Sequence, residues 1–215
     1  MNNIFYDFIG DYELTGSIEL DTYNILMKNN RHIIAEHSVR VARKAHDIAK
    51  KLRVDETSAK IAGFLHDISG VIPNERKIEV AKLLNIDILP EEERFPLILH
   101  QKLSAVMSQE VFGIDNISVL SAVECHTTLK ANASMLDMVL FVADKMEWDQ
   151  NGTPPYIKEV EDGLNISLEQ AAFNYLKYQW DNRDKLIVIH PWLEEAYRDL
   201  YNKIYVMDKQ IPITH

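Results

Sequence analysis

Histidines and aspartates inside apolar helical segments are the residues of this sequence with the clearest capacity for chemistry. His37 points with the apolar face of its segment, and His66 and Asp67 end an apolar segment. Asp144 directly follows the apolar run VLFVA (139–143). Because burying an unpaired carboxylate is costly, Asp67 and Asp144 each need a cation or several hydrogen-bond donors.

A metal ion bound between helices would satisfy both aspartates at once. The alternative, for each aspartate taken singly, is capping of a neighbouring helix or pairing with Arg40 or Lys145. The order His, His-Asp, Asp along the chain favours the metal. Imidazole and carboxylate ligands suit iron, manganese, zinc or magnesium, whereas structural zinc sites normally use cysteine.

The same residues resemble the metal signature of the HD-domain phosphohydrolases. Several segments are similar, more narrowly, to the YqeK-type branch of that superfamily, which is known for symmetrical hydrolysis of diadenosine tetraphosphate to two ADP. The resemblance covers about residues 31–150, together with a similar helical tail. The segments that carry it are EHSVRVA (36–42), AGFLHD (62–67), ILH (98–100), FGI (112–114), HTT (126–128) and ADKME (143–147).

The resemblance implies a role for each matching position. The residues implied as ligands of a tightly held divalent metal, with iron as the expected ion, are His37, His66, Asp67 and Asp144. His100 and His126 match histidines that surround a second metal or the substrate phosphates, and Thr127 matches a threonine next to the bound nucleotide.

Two departures from the family pattern bear on the substrate. Gln101 stands where the family usually has Gly, and Trp148, Asp149 and Gln150 stand where it usually has Pro and then Arg. That Arg is a phosphate contact in the resemblance. Its absence keeps open an HD hydrolase of another nucleotide, such as a monophosphate, a deoxynucleoside triphosphate or an alarmone. A non-catalytic nucleotide-binding HD module is a further alternative, against which the full ligand set argues.

Two metal ions about 3.5–4 Å apart would withdraw the negative charge that protects a phosphoanhydride from attack. Asp67 is the natural bridging carboxylate, because its two oxygens can reach both ions. His100 and His126 are expected either to bind the second metal or to donate a proton to the leaving phosphate. Arg40 and Lys145 are candidate phosphate contacts, the alternative being solvated charges on helix surfaces.

The elements that must position these residues are helices, and we predict an all-α fold, a compact HD-domain helical bundle with the metal site between helices. Apolar residues recur at helical spacing, and only seven glycines and seven prolines are present. Residues 1–18 carry no clear signal, the acidic segment 90–96 is predicted to be a loop, and residues 187–189 are the only β-like run. The predicted helices span 19–29, 36–52, 55–68, 75–84, 98–111, 117–126, 134–148, 156–163, 167–182 and 192–207.

Three parts of the chain are distinguished along this pattern. Residues 1–30 form an N-terminal appendage of uncertain structure, and residues 31–150 form the metal-binding core. Residues 151–215 are predicted to be C-terminal helices that complete the same domain. The aromatic residues of these last helices are expected to pack in the core or in a homodimer.

Composition limits the partners of this protein. The 215 residues carry a formal net charge of −10, which argues against nucleic acid and anionic membranes as partners, since both need a basic face. A small-molecule nucleotide remains compatible, because a bound metal supplies local positive charge. No stretch approaches 18 apolar residues, the N-terminus lacks a secretory pattern, and one cysteine is present. These features predict a cytoplasmic protein.

Overall fold

The computed structural model describes residues 3–148, 150 and 152–207, and over these residues it confirms the predicted all-α fold. Residues 1–2, Asp149, residue 151 and the end of the chain from residue 208 lie outside the described residues. The helices are α1 (Asn3–Ile9), α2 (Ile18–Lys28), α3 (His32–Leu52), α4 (Glu56–Leu65), α5 (Lys77–Leu83), α6 (Pro90–Arg94), α7 (His100–Glu110), α8 (Ile117–Cys125), α9 (Met135–Met146), α10 (Ile157–Leu164), α11 (Leu168–Asp181) and α12 (Pro191–Asn202).

Side-chain caps fix the starts of the helices that lead into the site. Asp55 accepts hydrogen bonds from the backbone N–H groups of Thr57 and Ser58 at the start of α4. Asn116 caps α8 in the same way, and Ser134 begins α9. Such caps satisfy backbone donors that have no partner inside the helix.

The helix predicted over residues 55–68 is shorter than expected, and the difference matters for the site. It ends at Leu65, and a separate 3₁₀ turn spans Ile68–Val71. His66 and Asp67 therefore lie in the break between the two, where the chain changes direction.

The β-like run at residues 187–189 forms no strand, and the described residues contain none, in agreement with the all-α prediction. One local prediction was wrong. The acidic segment is not a loop, because Pro90 begins helix α6 and Glu92 accepts a hydrogen bond from the backbone N–H of Leu89 at 2.8 Å. Glu92 is fully buried, where it pairs with Lys102 at 2.8 Å and lies 3.3 Å from His190. No local pattern reveals partners that come from such distant parts of the chain.

The apolar core has two parts. The larger part is formed by helices α3 and α4 together with the five helices from α8 through α12. It contains Val41, Leu65, Val123, Val139 and Leu176. At its centre α3 and α4 approach very closely, because Gly63 has no side chain. A Cβ atom there would lie 2.5 Å from the Cα of Ala42.

The smaller part of the core joins the N-terminal helices to α5 and α7. Phe5, Ile25 and Leu26 are buried there with Ile68 and Leu103. Residues 3–28 therefore contribute two packed helices, α1 and α2. The sequence carries no clear signal for α1. The limits at residues 30 and 150 stay predictions. No helix in the described part of the chain has both the length and the apolar character needed to cross a membrane.

Candidate metal centre

Five segments bring the predicted ligands together at the junction of the two core parts. His37 lies in α3, and His66 and Asp67 lie in the break after α4. His100 is the first residue of α7. The two remaining residues are His126, which directly follows α8, and Asp144, which lies in the last turns of α9. The side chains of His37, His66 and His126 are buried, whereas that of His100 is 18% exposed.

Asp67 is the hub of the cluster. Its Oδ1 lies 3.2 Å from the Nε2 of His100 and 3.4 Å from the Nε2 of His126. Its Oδ2 lies 3.5 Å from the Nε2 of His66. One oxygen of this carboxylate thus faces His100 and His126, and the other faces His66.

Asp144 closes the other side of the cluster. Its Oδ1 lies 3.0 Å from the Nε2 of His37 and 3.7 Å from the Nε2 of His66. Its Oδ2 accepts a hydrogen bond from Lys145 at 2.5 Å. Asp144 is therefore placed to serve both as a metal ligand and as the partner of Lys145, with one oxygen for each role.

Three of the histidines are held in the same manner. The Nδ1 atoms of His66, His100 and His126 lie 2.8, 2.7 and 2.8 Å from the backbone carbonyl oxygens of Gly63, Leu97 and Val123. Each carbonyl belongs to the residue three positions earlier. A carbonyl can only accept, so each Nδ1 carries the proton and each Nε2 presents a lone pair.

These lone pairs fit a cation. The Nε2 of His66 is buried and has no hydrogen-bond partner among the described residues. The Nε2 atoms of His100 and His126 lie only 3.0 Å apart, so with both Nδ1 atoms protonated two lone pairs face each other. Such buried acceptors are costly without a positive charge between them.

The electrostatics favour the ligand forms of these groups. Burial lowers the pKa of His66 to about 4, although the charge of Asp67 opposes this. Burial by itself raises the pKa of Asp67, but the neighbouring His66, His100 and His126 hold it well below its usual range. Neutral imidazole and ionised carboxylate are the forms that bind metals.

Two groups of three residues satisfy the spacing that a metal ion requires. In each group one ligand atom per residue lies within 4.8 Å of the others. Both groups include Asp67, and Asp144 lies beside the first of them. The groups are His37, His66 and Asp67, and Asp67, His100 and His126.

Two clefts border this cluster. The first has a volume of about 620 Å³ and is lined by Asp67 and His100 together with Arg31, Ile34 and Lys77. Arg31 and Lys77 are not recognisable from the sequence, because a lone basic residue at a helix start carries no signal that separates it from a solvated one.

The second cleft has a volume of about 330 Å³ and is more apolar. Thr127, Tyr175 and Leu193 are among its lining residues. The hydroxyl of Thr127 lies 3.0 Å from the Nε2 of His100 and 3.2 Å from that of His126. Thr127 therefore joins the histidines to the second cleft.

Gln101, a departure from the family pattern, has a clear structural role. It is fully buried, and its Oε1 accepts hydrogen bonds from the backbone N–H groups of Thr127 and Thr128 at 3.2 and 3.3 Å. Gln101 thus holds the segment that follows His126.

The two predicted phosphate contacts are already engaged. Arg40 lies 3.5 Å from Glu147 and donates to the carbonyl of Trp148 at 3.4 Å, so it is turned to the end of α9. Lys145 is buried against Asp144 and the rings of Phe141 and Tyr175. The predicted phosphate contacts of Arg40 and Lys145 stay predictions.

Comparison with known proteins agrees with this geometry. The HD domain family model matches residues 34–149. A Lactococcus lactis subsp. cremoris protein named only by its position in the pepC 5′ region is 44% identical over 151 residues, which are 70% of this chain and 76% of that protein. The symmetrical bis(5′-nucleosyl)-tetraphosphatase of Halalkalibacterium halodurans is 30% identical over 143 residues, 66% of this chain and 74% of that protein.

A solved structure is also similar. The crystal structure of an HD superfamily hydrolase from Clostridium acetobutylicum, described as involved in NAD metabolism, has a TM-score of 0.78 and 27% identity. The match covers 85% of this chain and 96% of that one. Because the family model covers more than half of the chain and the histidines and aspartates of its signature converge, this protein belongs to the HD domain family as an HD phosphohydrolase.

Proposed function

We propose that this phosphohydrolase cleaves diadenosine tetraphosphate symmetrically, giving two ADP. The observation that carries the proposal is the shared carboxylate of Asp67, which belongs to both candidate metal groups. Paired metal sites that share a ligand are suited to displacement at phosphorus, because they act on the attacking and the leaving oxygen. The name of the Halalkalibacterium halodurans relative supports the choice of substrate.

The ligand set consists of four imidazoles and two carboxylates, and we propose iron as the resident metal. Manganese, zinc and magnesium remain chemically compatible with such donors. A divalent metal bound there supplies positive charge to phosphoryl oxygens and makes hydroxide available from water near neutral pH. The proposed holders are His37, His66, Asp67, His100, His126 and Asp144.

His100 and His126 act as metal ligands in this proposal and not as proton donors. Their Nδ1 protons are committed to the carbonyls of Leu97 and Val123. The Nε2 atoms that face Asp67 then carry no proton to give. A metal on those nitrogens would leave the hydroxyl of Thr127 free to donate a hydrogen bond to a phosphoryl oxygen of the substrate.

The reaction consumes one water for each substrate. The water oxygen forms a bond to one of the two central phosphorus atoms, and the bridging oxygen between them leaves with the other half. The protons of the water pass to solvent. The leaving group is the terminal phosphate of ADP, which is stable as an anion, so a strong proton donor is not required.

Symmetrical cleavage requires that the middle of the substrate lie at the metal centre. The two halves then extend away from it and need separate space. The first cleft begins at Asp67 and His100, and the second begins at Thr127. Two clefts that begin at different residues of the centre provide space for both halves of the substrate. This arrangement supports cleavage at the central anhydride over cleavage near one end of the substrate.

The test is product analysis by anion-exchange chromatography. Iron-loaded protein prepared without oxygen is offered diadenosine tetraphosphate and, separately, a panel of nucleoside monophosphates, deoxynucleoside triphosphates and alarmones. We expect two ADP for each substrate consumed. Asp67→Asn should abolish turnover and lower the metal content, because the shared ligand loses its charge.

The matched control is Asp47→Asn, which removes an exposed carboxylate on α3 far along the helix from His37. It should keep both activity and metal. Products ATP and AMP would contradict symmetrical cleavage, and turnover of another panel member alone would contradict the substrate. A filled metal site without any turnover would indicate a binding module.

A further inference from the structure

We infer that Arg31 and Lys77 form an anion-binding pair in the first cleft that holds phosphate groups of one half of the substrate. The inference deepens the proposed function and rests on it for the identity of the substrate. Its basis is the presence of two cations, close to the candidate metal centre, that face a cleft and form no ion pair with a carboxylate in the described part of the chain.

Lys77 is an unusually buried lysine. Its side chain is 2% exposed, and its Nζ donates to the carbonyl oxygens of Ser69 and Ile72 at 3.3 and 3.1 Å. It forms no ion pair with a described residue. Two carbonyls leave one of the three ammonium donors for a further acceptor.

Lys77 remains a cation at neutral pH. Burial lowers its pKa to about 8, the charge of Asp67 raises it, and the nearby charge of Arg31 lowers it further. A buried ammonium group that has no carboxylate at ion-pair distance is unfavourable in the free protein. An anion in the cleft would relieve that cost.

Arg31 supplies the second charge. It directly precedes α3 and lines the same cleft, and its Nε is buried with no hydrogen-bond partner in the part of the chain that the structure describes. Over the described residues its guanidinium forms no ion pair. A planar guanidinium with free donors matches the paired oxygens of a phosphate group.

The charge balance of the protein makes this pair notable. The chain has ten more acidic than basic side chains, yet these two cations form no ion pair with a described residue, although Asp67 and Glu75 line the same cleft. His100 also lines the cleft. An anion held by Arg31 and Lys77 therefore adjoins the candidate metals, as the phosphate chain of a substrate in place for cleavage must.

The test uses inorganic pyrophosphate, which carries phosphate groups and no nucleoside. Its Kd for the metal-loaded protein is measured by calorimetry for wild type, Lys77→Met and Arg31→Gln. Because a charged hydrogen bond contributes strongly, each variant should raise the Kd about tenfold or more. Lys77→Met keeps the length of the side chain, and Arg31→Lys should retain part of the affinity.

The matched control is Lys82→Gln, an exposed lysine on the same helix as Lys77. It should bind pyrophosphate as wild type does. Metal content is measured before and after each titration. An unchanged Kd in both cleft variants, or a loss of affinity matched by a loss of metal, would overturn the inference.

The same variants separate this inference from the proposed function. If wild-type protein fails to cleave diadenosine tetraphosphate, the proposed function fails, while the pyrophosphate titration still decides whether the cleft binds anions. If wild type cleaves it with an unchanged KM in Lys77→Met and Arg31→Gln, the inference alone fails. We expect both variants to raise KM more than they lower kcat.

Discussion

Asp144 shows how one residue serves two partners. One of its oxygens faces His37 and the other accepts a hydrogen bond from Lys145. Burial opposes the charge of Lys145, yet Asp144 raises the pKa of this lysine. The protein thus carries a fixed positive charge beside the metal centre, which offsets one carboxylate when no metal is bound.

Replacing Lys145 with methionine tests that role. Lys145→Met should lower the Tm of metal-free protein, because Asp144 then remains buried without its cation, at a cost of about 3 kcal/mol. Bound metal should recover part of the loss, so the Tm difference between metal-loaded and metal-free protein widens. Thermal unfolding with and without a chelator measures it. Lys158→Met, at an exposed lysine of α10, is the control, and an unchanged difference in Lys145→Met would contradict the prediction.

Residue types predicted which histidines and aspartates converge in the folded chain, for a physical reason. A histidine or aspartate within an apolar helical segment must be buried, and burial of such groups demands a partner. Glu92 was mispredicted as part of an acidic loop because its partners, Lys102 and His190, come from other segments. Lys77 and Arg31 gave no signal either, since only the folded chain shows that they face one cleft.

At the scale of elements, Glu92 ties three helices together. It lies in α6, its partner Lys102 lies in α7, and His190 directly precedes α12. Burial raises the pKa of Glu92, but His190, the backbone of Leu89 and Lys102 more than offset this, so its pKa is lowered.

The lowered pKa of Glu92 predicts a pH-dependent stability. A carboxyl group whose pKa falls on folding stabilises the protein above its unfolded pKa of about 4.3. That stabilisation is lost as the pH falls through the folded pKa. Glu92→Gln should cost about 3 kcal/mol at pH 7, and the difference from wild type should shrink below about pH 4.

Unfolding in urea at several pH values measures this difference. Glu93→Gln is the matched control, because the neighbouring Glu93 is exposed. It should remain within about 0.5 kcal/mol of wild type at every pH. A Glu92→Gln deficit that stays constant down to pH 3 would show that the charge of Glu92 is not its source.

The crossing of α3 and α4 positions three of the candidate ligands, and it depends on Gly63. Gly63→Ala would place a Cβ atom 2.5 Å from the Cα of Ala42. We expect a loss of about 1–3 kcal/mol or more, together with weaker metal binding, because His37 lies on α3 and His66 follows α4. Metal affinity and urea unfolding measure the two effects.

Gly163→Ala separates overpacking in general from displacement of the site. Its Cβ atom would lie 2.8 Å from the Cα of Ala171, where α10 meets α11. It should therefore destabilise the protein while leaving metal affinity near that of wild type. Equal metal affinity in both glycine variants would show that the α3–α4 crossing does not set the ligand positions.

At the scale of the whole molecule, the candidate ligands connect the two parts of the core. His126 and Asp144 adjoin the larger part through α8 and α9, and His100 begins α7, whose Leu103 lies in the smaller part. A metal held by both sides would bind the folded protein and not the unfolded chain, and so would stabilise it.

Removal of the metal should lower the Tm in a concentration-dependent way. At a free metal concentration one hundred times the Kd, the stabilisation is about 2.7 kcal/mol. Calorimetry across a metal titration measures the shift. In Asp67→Asn the Tm should depend much less on metal concentration. If chelators leave the Tm of the wild-type protein unchanged, a metal shared by the two parts of the core is contradicted.

The carbonyl oxygens that hold His66, His100 and His126 have a kinetic consequence. Each imidazole takes its orientation from a residue only three positions earlier in the chain. The orientation of each ring is therefore fixed by a neighbouring residue in the chain, and it is set before a metal ion binds. Little rearrangement should accompany loading, so the rate of metal uptake should follow the release of water from the ion, and removal and replacement of the metal should be reversible without refolding.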